Sequence, residues 1–132
     1  MMNKVNIEKK NLTGIVALLV HVANIDEIYT EKEKKIIKGF ISSFSYKETD
    51  TDEILKEAEK MESDSIQLLS FTSLIKKESL ELKTEVMEHL WKIVISDQSV
   101  DQYESSLMRR ICGLIYFPDK LSGEIKLKLL NN

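Results

Sequence analysis

The sequence contains only one cysteine, one proline and four glycines among its 132 residues. A single cysteine excludes an intramolecular disulfide framework and is typical of proteins from a reducing compartment. So little proline and glycine also excludes a collagen-like chain and disfavours an all-β fold with many tight turns. What remains is a small globular domain that is rich in regular structure.

Long apolar runs and an excess of positive charge are absent as well. The longest apolar run, Ile15 to Val20, is far shorter than the roughly 20 residues that cross a bilayer, so no membrane span is expected. A net charge of −3 disfavours nucleic acid as a partner. Because no small-residue cleavage site follows the apolar run, we expect no signal peptide and a cytoplasmic location.

What the sequence does contain is apolar residues at helical spacing almost throughout. Helices are predicted at about 11–24, 30–44, 49–62, 64–77, 79–96 and 101–116, with a short one after Pro118. No alternation typical of a β-strand is present. The expected fold class is therefore all-α, a compact bundle of about seven helices. An N-terminal tail is expected over residues 1–10 and a single domain over residues 11–130.

Helix-capping signals support this division. Thr30-x-x-Glu33 has the form of a capping box, in which the hydroxyl and the carboxylate each bind a backbone N–H that the helix leaves unpaired. Asp101-x-x-Glu104 has the same form with an acidic cap. Simpler N-caps are predicted at Thr49, Ser63, Ser79 and Asp119.

The chain also carries an approximate internal repeat at an offset of 71 residues, since Ile15 aligns with Val86. Apolar positions of the two halves pair as Ile15/Val86, Leu19/Leu90, Val22/Ile93, Ala23/Val94, Ile37/Met108, Phe40/Ile111 and Ile41/Cys112. The acidic positions keep the same register, because Asp26 aligns with Asp97 and Glu33 with Glu104. Each half therefore consists of a helix, an acidic junction and a second helix. We call residues 24–33 the first junction and residues 95–104 the second junction.

Each junction places an aspartate near the end of one helix and a glutamate about one turn into the next. Hard cations such as Ca²⁺ and Mg²⁺ prefer oxygen ligands of this kind. The candidate metal ligands are Asp26, Glu33, Asp97 and Glu104, in a weak site or in one shared by both junctions. The alternative is that these residues only cap and tether helices. An EF-hand is excluded, because Asp26 and Glu33 are only seven residues apart and no glycine lies between them.

Other chemically active residues give weaker signals. Cys112 aligns with Ile41 in the repeat, which predicts a thiol in the core. His21 and His89 lie on different helices and are expected to be hydrogen-bonded or partly exposed helix residues. An acidic cluster can also build a carboxylate–metal hydrolase, although the Glu-x-x-His pairs of helical dimetal sites do not occur here.

The two junctions resemble the signatures of a known family. Residues 18–33, LLVHVANIDEIYTEKE, are similar to a signature of the TerB-like family, the tellurite-resistance protein B group. There an apolar helix is followed by the pattern Ala-Asp-Gly-x-apolar-Ser/Thr-x-x-Glu. Residues 90–104 resemble the second signature more closely. This chain departs from both, because Glu27 and Gln98 replace the glycine that follows each aspartate.

The resemblance implies a fold and a class of function. Family members are compact bundles of about seven helices with pseudo-symmetry. They occur in stress and tellurite-resistance operons and as a domain of a membrane-anchored DnaJ-like co-chaperone. Their acidic junctions, here Asp26, Glu33, Asp97 and Glu104, have been proposed as metal sites, and no catalytic activity is established for the fold.

We therefore expect a non-enzymatic module for protein interaction, related to stress response and modulated by a divalent cation. Its protein partner is unidentified, no cofactor is certain, and the chain is expected to be a monomer or a homodimer. The alternative is a purely structural helical domain whose acidic junctions are helix caps.

Overall fold

The computed structural model describes residues 7–25, 28–44, 48–64, 68–96 and 102–131. Within these ranges the chain forms seven helices and no β-strand. In chain order they are α1 (Lys9–Ala23), α2 (Glu31–Ser42), α3 (Glu48–Asp64), α4 (Leu68–Thr72), α5 (Leu80–Ile95), α6 (Gln102–Ile115) and α7 (Asp119–Leu130). The predicted all-α bundle is confirmed. No helix in this part of the chain is long and apolar enough to cross a membrane.

Helix α1 is the centre of the bundle. Every residue from Leu12 to Val20 is buried, and α1 packs against α2, α3, α4 and α5. A helix that is apolar on all sides is stable only when other elements surround it. Gly14 contributes to this packing, because a Cβ at its position would collide with the side chain of Leu74. The segment that follows α4 can therefore lie directly on α1.

The internal repeat corresponds to shared core positions. Ile15 and Leu19 of α1 and their counterparts Val86 and Leu90 of α5 are all fully buried, and the two helices pack against each other. Cys112 is 1% exposed, which confirms the prediction of a thiol in the core. Burial raises the pKa of that thiol, so the sulfur stays neutral and is a poor nucleophile.

Two of the predicted N-caps are confirmed. The Ser79 hydroxyl accepts a hydrogen bond from the backbone N–H of Leu82 at 3.1 Å, and Thr30 caps α2. Asp101, the predicted acidic cap of α6, lies outside the described residues.

Three other predicted N-caps were wrong, because each lies one or more residues away from the N-cap position of its helix. Thr49 lies inside α3, which begins at Glu48. Ser63 lies in the last turn of α3, where its hydroxyl donates to the carbonyl of Lys60 at 2.9 Å. Asp119 is the first residue of α7, and Pro118 occupies the N-cap position. Proline suits a helix start because its fixed φ is helical and its missing N–H would be unpaired there.

The fourth helix is shorter than the predicted segment at 64–77, because α4 ends at Thr72. The backbone continues in tighter turns, with Leu74 N–H bonded to Phe71 at 3.2 Å and Ile75 N–H bonded to Thr72 at 3.0 Å. Such i to i−3 turns keep nearly the same apolar spacing as an α-helix. Apolar spacing therefore predicted the buried Ile75 without revealing where α4 ends.

Candidate functional site

The first junction is held by the predicted capping box, which the structure confirms. The backbone N–H of Thr30 donates to Glu33 Oε1 at 2.8 Å, and the backbone N–H of Glu33 donates to Thr30 Oγ1 at 3.1 Å. Glu33 is only 8% exposed. Its carboxylate therefore lies in the buried surface of the junction with one oxygen committed to the helix cap.

Tyr29 connects this junction to α3. Its hydroxyl donates to Glu59 Oε2 at 2.8 Å, and the ammonium of Lys34 lies 5.1 Å from its ring centroid. Burial and the Glu59 carboxylate raise the pKa of Tyr29 far above its usual 10.0. The phenol therefore remains a protonated donor that fixes the chain between α1 and α2.

The second junction begins where α5 ends, at its C-cap Ser96. The hydroxyl of Ser96 donates to the carbonyl of Ile93 at 2.7 Å. Glu104 lies in the first turn of α6 with a half-buried side chain. Asp26 and Asp97, the other two predicted ligands, lie outside the described residues.

The two junctions lie side by side. Lys32, in the first turn of α2, donates from its ammonium to the backbone carbonyl of Ser96 at 3.1 Å. This hydrogen bond joins residues 64 positions apart and links the two acidic junctions directly. It also places one positive charge between them.

The described residues do not by themselves form a metal site. Within the described ranges, no three His, Cys, Asp or Glu side chains lie together closely enough to hold a metal ion. Oxygen ligands of the predicted kind are present at Glu33 and Glu104, which suits a hard cation. Because Asp26 and Asp97 lie outside these ranges, the four-carboxylate site stays a prediction.

A groove of about 450 Å³ opens beside the junctions, between the end of α1, α4 and α6. It is lined by His21, Ile25, Leu68, Leu69, Tyr103, Leu107 and Arg110. Leu69 is 58% and Tyr103 is 60% exposed, so both apolar side chains face solvent. Ile25 belongs to the first junction and Tyr103 to the second, which puts the groove where the two junctions approach each other.

Comparison with protein families places the chain. A family model described as tellurite resistance protein TerB matches residues 12–127. The chain belongs to the TerB family. The match confirms the resemblance inferred from the two junctions. No curated protein and no solved structure matches the chain.

Two contacts of this TerB domain were not predicted from its sequence. The bond from Tyr29 to Glu59 joins residues 30 positions apart, and the bond from Lys32 to Ser96 joins two halves of the repeat. The internal repeat was the sequence signal that could have indicated a contact between the two junctions. Two similar halves that pack through α1 and α5 place their junctions at related positions. Which atoms form these two hydrogen bonds depends on how the helices of this TerB bundle pack.

Proposed function

We propose that this TerB domain is a cytoplasmic, non-catalytic binding module. Its two junctions respond together to a divalent cation and control the neighbouring groove. The observation that carries the proposal is the hydrogen bond from Lys32 to Ser96, which makes the two acidic junctions neighbours. One junction supplies few oxygen ligands, whereas two adjacent junctions together approach the six to eight that Ca²⁺ prefers. The setting in stress response, including tellurite resistance, is part of this proposal and is supported only by the family.

The proposed ligands are Asp26, Glu33, Asp97 and Glu104. Glu33 supports this role in a specific way, because its carboxylate is held in one orientation by Thr30. A bound cation would share the junction with the ammonium of Lys32, and like charges repel. We therefore expect weak, reversible binding instead of a permanent structural metal.

The groove supports a protein as the partner. Apolar side chains line most of it, and Arg110 adds a positive charge at its wall. No carboxylate among the described residues lies within ion-pair distance of Arg110. We propose that the occupant is an apolar segment of a partner protein that carries an acidic residue for Arg110. Ile25 and Tyr103 would transmit the state of the junctions to this segment.

Thermal unfolding tests the cation response. The wild type is melted in EDTA and then with millimolar Ca²⁺, Mg²⁺, Mn²⁺ or Zn²⁺, beside Asp26→Asn/Asp97→Asn. A free cation at 100 times its Kd adds about 2.7 kcal/mol, which raises the melting temperature by several degrees. The control, Asp50→Asn/Asp64→Asn, removes the same charge from α3. Loss of the response in the junction variant alone supports the proposal.

Two outcomes contradict a cation site at the junctions. Melting temperatures that do not change with any cation favour the structural alternative, which the observed capping box at Thr30 and Glu33 supports independently. An equal loss of response in both double variants indicates a general effect of surface charge. The hydrolase hypothesis stays a prediction that an assay for metal-dependent turnover would test.

Removing the ammonium between the junctions provides a second test. Lys32→Gln takes one positive charge from the proposed site and should strengthen the cation response. Lys35→Gln, which changes an exposed lysine on the same helix, is the matched control. A response in Lys32→Gln that is no stronger than in Lys35→Gln contradicts a site shared by both junctions.

The groove can be probed with 8-anilinonaphthalene-1-sulfonate, an apolar anion whose emission rises in apolar surroundings. We expect the native domain to enhance its fluorescence and Tyr103→Ser to reduce that enhancement. Tyr116→Ser removes a tyrosine that is similarly exposed, at 66%, outside the groove and serves as control. Equal effects of the two substitutions would contradict binding in the groove.

A further inference from the structure

A second pocket, of about 500 Å³, lies among α5, α6 and α7, away from the groove. Its volume falls within the range of small-molecule sites in proteins. Two positively charged residues line it, Arg109 from α6 and Lys126 from α7, together with Ser105. None of these residues belongs to the acidic junctions, so the pocket is independent of the proposed function above.

One wall of the pocket is formed by a buried, hydrogen-bonded tryptophan. Trp91 is 4% exposed, and its indole Nε1–H donates to the hydroxyl of Ser122 at 2.9 Å. The ammonium of Lys126 lies 5.3 Å from the indole ring centroid, where the electron-rich face of the ring attracts a cation. This contact favours one position of the Lys126 side chain in the free protein, which lowers the entropy cost of binding.

The charge of the pocket favours an anion. Among the described residues, no carboxylate lies within ion-pair distance of Arg109 or Lys126. Asp119 also lines the pocket and reduces the net charge of its lining side chains to one positive charge. Asp119 is in the first turn of α7, where the positive end of the helix dipole partly offsets its charge.

Gly123 of α7 also lines the pocket. A Cβ built at this glycine would meet no atom within 4 Å, so the space beside it is empty. A larger side chain there would enter this space without a clash inside the domain. The pocket thus combines two cations, a serine and open space beside Gly123.

We propose that this pocket binds a small phosphate monoester, with its phosphate between Arg109 and Lys126. The guanidinium of Arg109 can donate two parallel hydrogen bonds to the phosphate oxygens, and the ammonium of Lys126 is a second cation for the dianion. Ser105 supplies a further donor. The pocket is larger than a bare phosphate ion, and the remaining volume accommodates the organic group of the ester.

The chain carries its own reporter for a test, because Trp91 is its single tryptophan. The indole N–H cross-peak in a ¹H–¹⁵N correlation spectrum is followed while phenyl phosphate is added, with inorganic phosphate and phenol as separate titrations. We expect a saturable shift with phenyl phosphate, a weaker one with inorganic phosphate, and none with phenol. No saturable shift with either phosphate overturns the proposal.

Substitutions assign the binding to this pocket. Arg109→Gln and Lys126→Gln should each weaken the affinity for phenyl phosphate about threefold to tenfold, as expected for charge-assisted bonds at a partly exposed site. The control is Arg110→Gln, the adjacent arginine, which lines the groove instead. Equal weakening in Arg110→Gln indicates nonspecific attraction and overturns the proposal.

Gly123→Leu gives a measurement that does not depend on charge. This substitution should reduce the shift by placing a large side chain at the pocket wall, while the melting temperature stays equal to or above that of the wild type because leucine favours a helix over glycine. Unchanged binding in a folded Gly123→Leu protein would contradict the site.

Discussion

Thr30 and Glu33 bind each other reciprocally at the start of α2, with the backbone N–H of each residue donating to the side chain of the other at 2.8 and 3.1 Å. Glu33 therefore caps α2, whether or not it also binds a cation. A test of its proposed role as a cation ligand must separate that role from its contribution to stability.

We predict that Glu33→Ala lowers the free energy of unfolding by about 1 kcal/mol, because the capping box is lost. Glu33→Gln should retain most of that stability, since glutamine can also complete the box, yet it should weaken the cation response. Urea denaturation of the two variants measures the first effect. The control is Glu31→Ala, whose side chain is 92% exposed. A loss in Glu31→Ala as large as in Glu33→Ala would contradict the structural role.

Tyr116 is expected to reduce the stability of the domain. It follows α6 with a φ of 61°, and the next N–H, of Phe117, donates to the carbonyl of Cys112 at 2.8 Å. This is the hydrogen bond of a Schellman motif, whose left-handed position favours glycine. Tyr116→Gly should raise the free energy of unfolding by up to about 1 kcal/mol.

The tyrosine ring offsets part of this cost. Lys76 and Lys83 place their ammonium groups 5.0 and 6.0 Å from its centroid, and such contacts at exposed sites are worth about 0.5 kcal/mol. Tyr116→Ala keeps the strained backbone and loses the ring, so it should be less stable than the wild type. Chemical denaturation that finds the glycine variant no more stable than the alanine variant would rule out backbone strain.

Thr51 carries a buried hydroxyl that has no hydrogen-bond partner among the described residues, and the residue is 4% exposed. Replacing an unsatisfied hydroxyl by a methyl group removes a desolvation penalty, so Thr51→Val should stabilise the domain by about 1 kcal/mol. The matched control is Thr13→Val, because the hydroxyl of Thr13 donates to the Lys9 carbonyl at 2.8 Å. A gain in Thr13→Val as large as in Thr51→Val would show that burial of a methyl group, not the unpaired hydroxyl, is responsible.

His89 should make stability depend on pH. Burial lowers its pKa below the usual 6.5, while its Nδ1 lies 2.8 Å from the carbonyl of Glu85. As the pH falls below 6.5 the unfolded chain takes up a proton more readily than the folded one, so the free energy of unfolding decreases. Well above pH 6.5 both states are neutral at this residue and its contribution is constant.

Unfolding curves between pH 5.5 and 7.5 measure this dependence. His89→Gln should remove part of the slope, whereas His21→Gln changes the other histidine of the chain and should leave the contribution of His89 in place. A slope that is unchanged in His89→Gln assigns the pH dependence to other groups.

The amino-acid sequence determined the helical class and the main core positions of this protein. Helical spacing of apolar residues is a local property, because burial of one face of a helix constrains residues three or four positions apart. The capping box at Thr30 and Glu33 was predictable for the same reason, since both partners lie within one turn. The end of α4 was not, because tight turns at Leu74 and Ile75 share the apolar spacing of an α-helix.

The tertiary structure alone decided which distant groups meet. Tyr29 reaches Glu59 and Lys32 reaches Ser96 only because their helices pack together, and Arg109 shares a pocket with Lys126 because α6 packs against α7. A hydrogen bond or an ion pair depends on the distance between two atoms, and for residues on different helices that distance is set by how the helices pack. The sequence thus determined the helices and most of their buried faces, while packing determined the polar contacts that link the two junctions and form the second pocket.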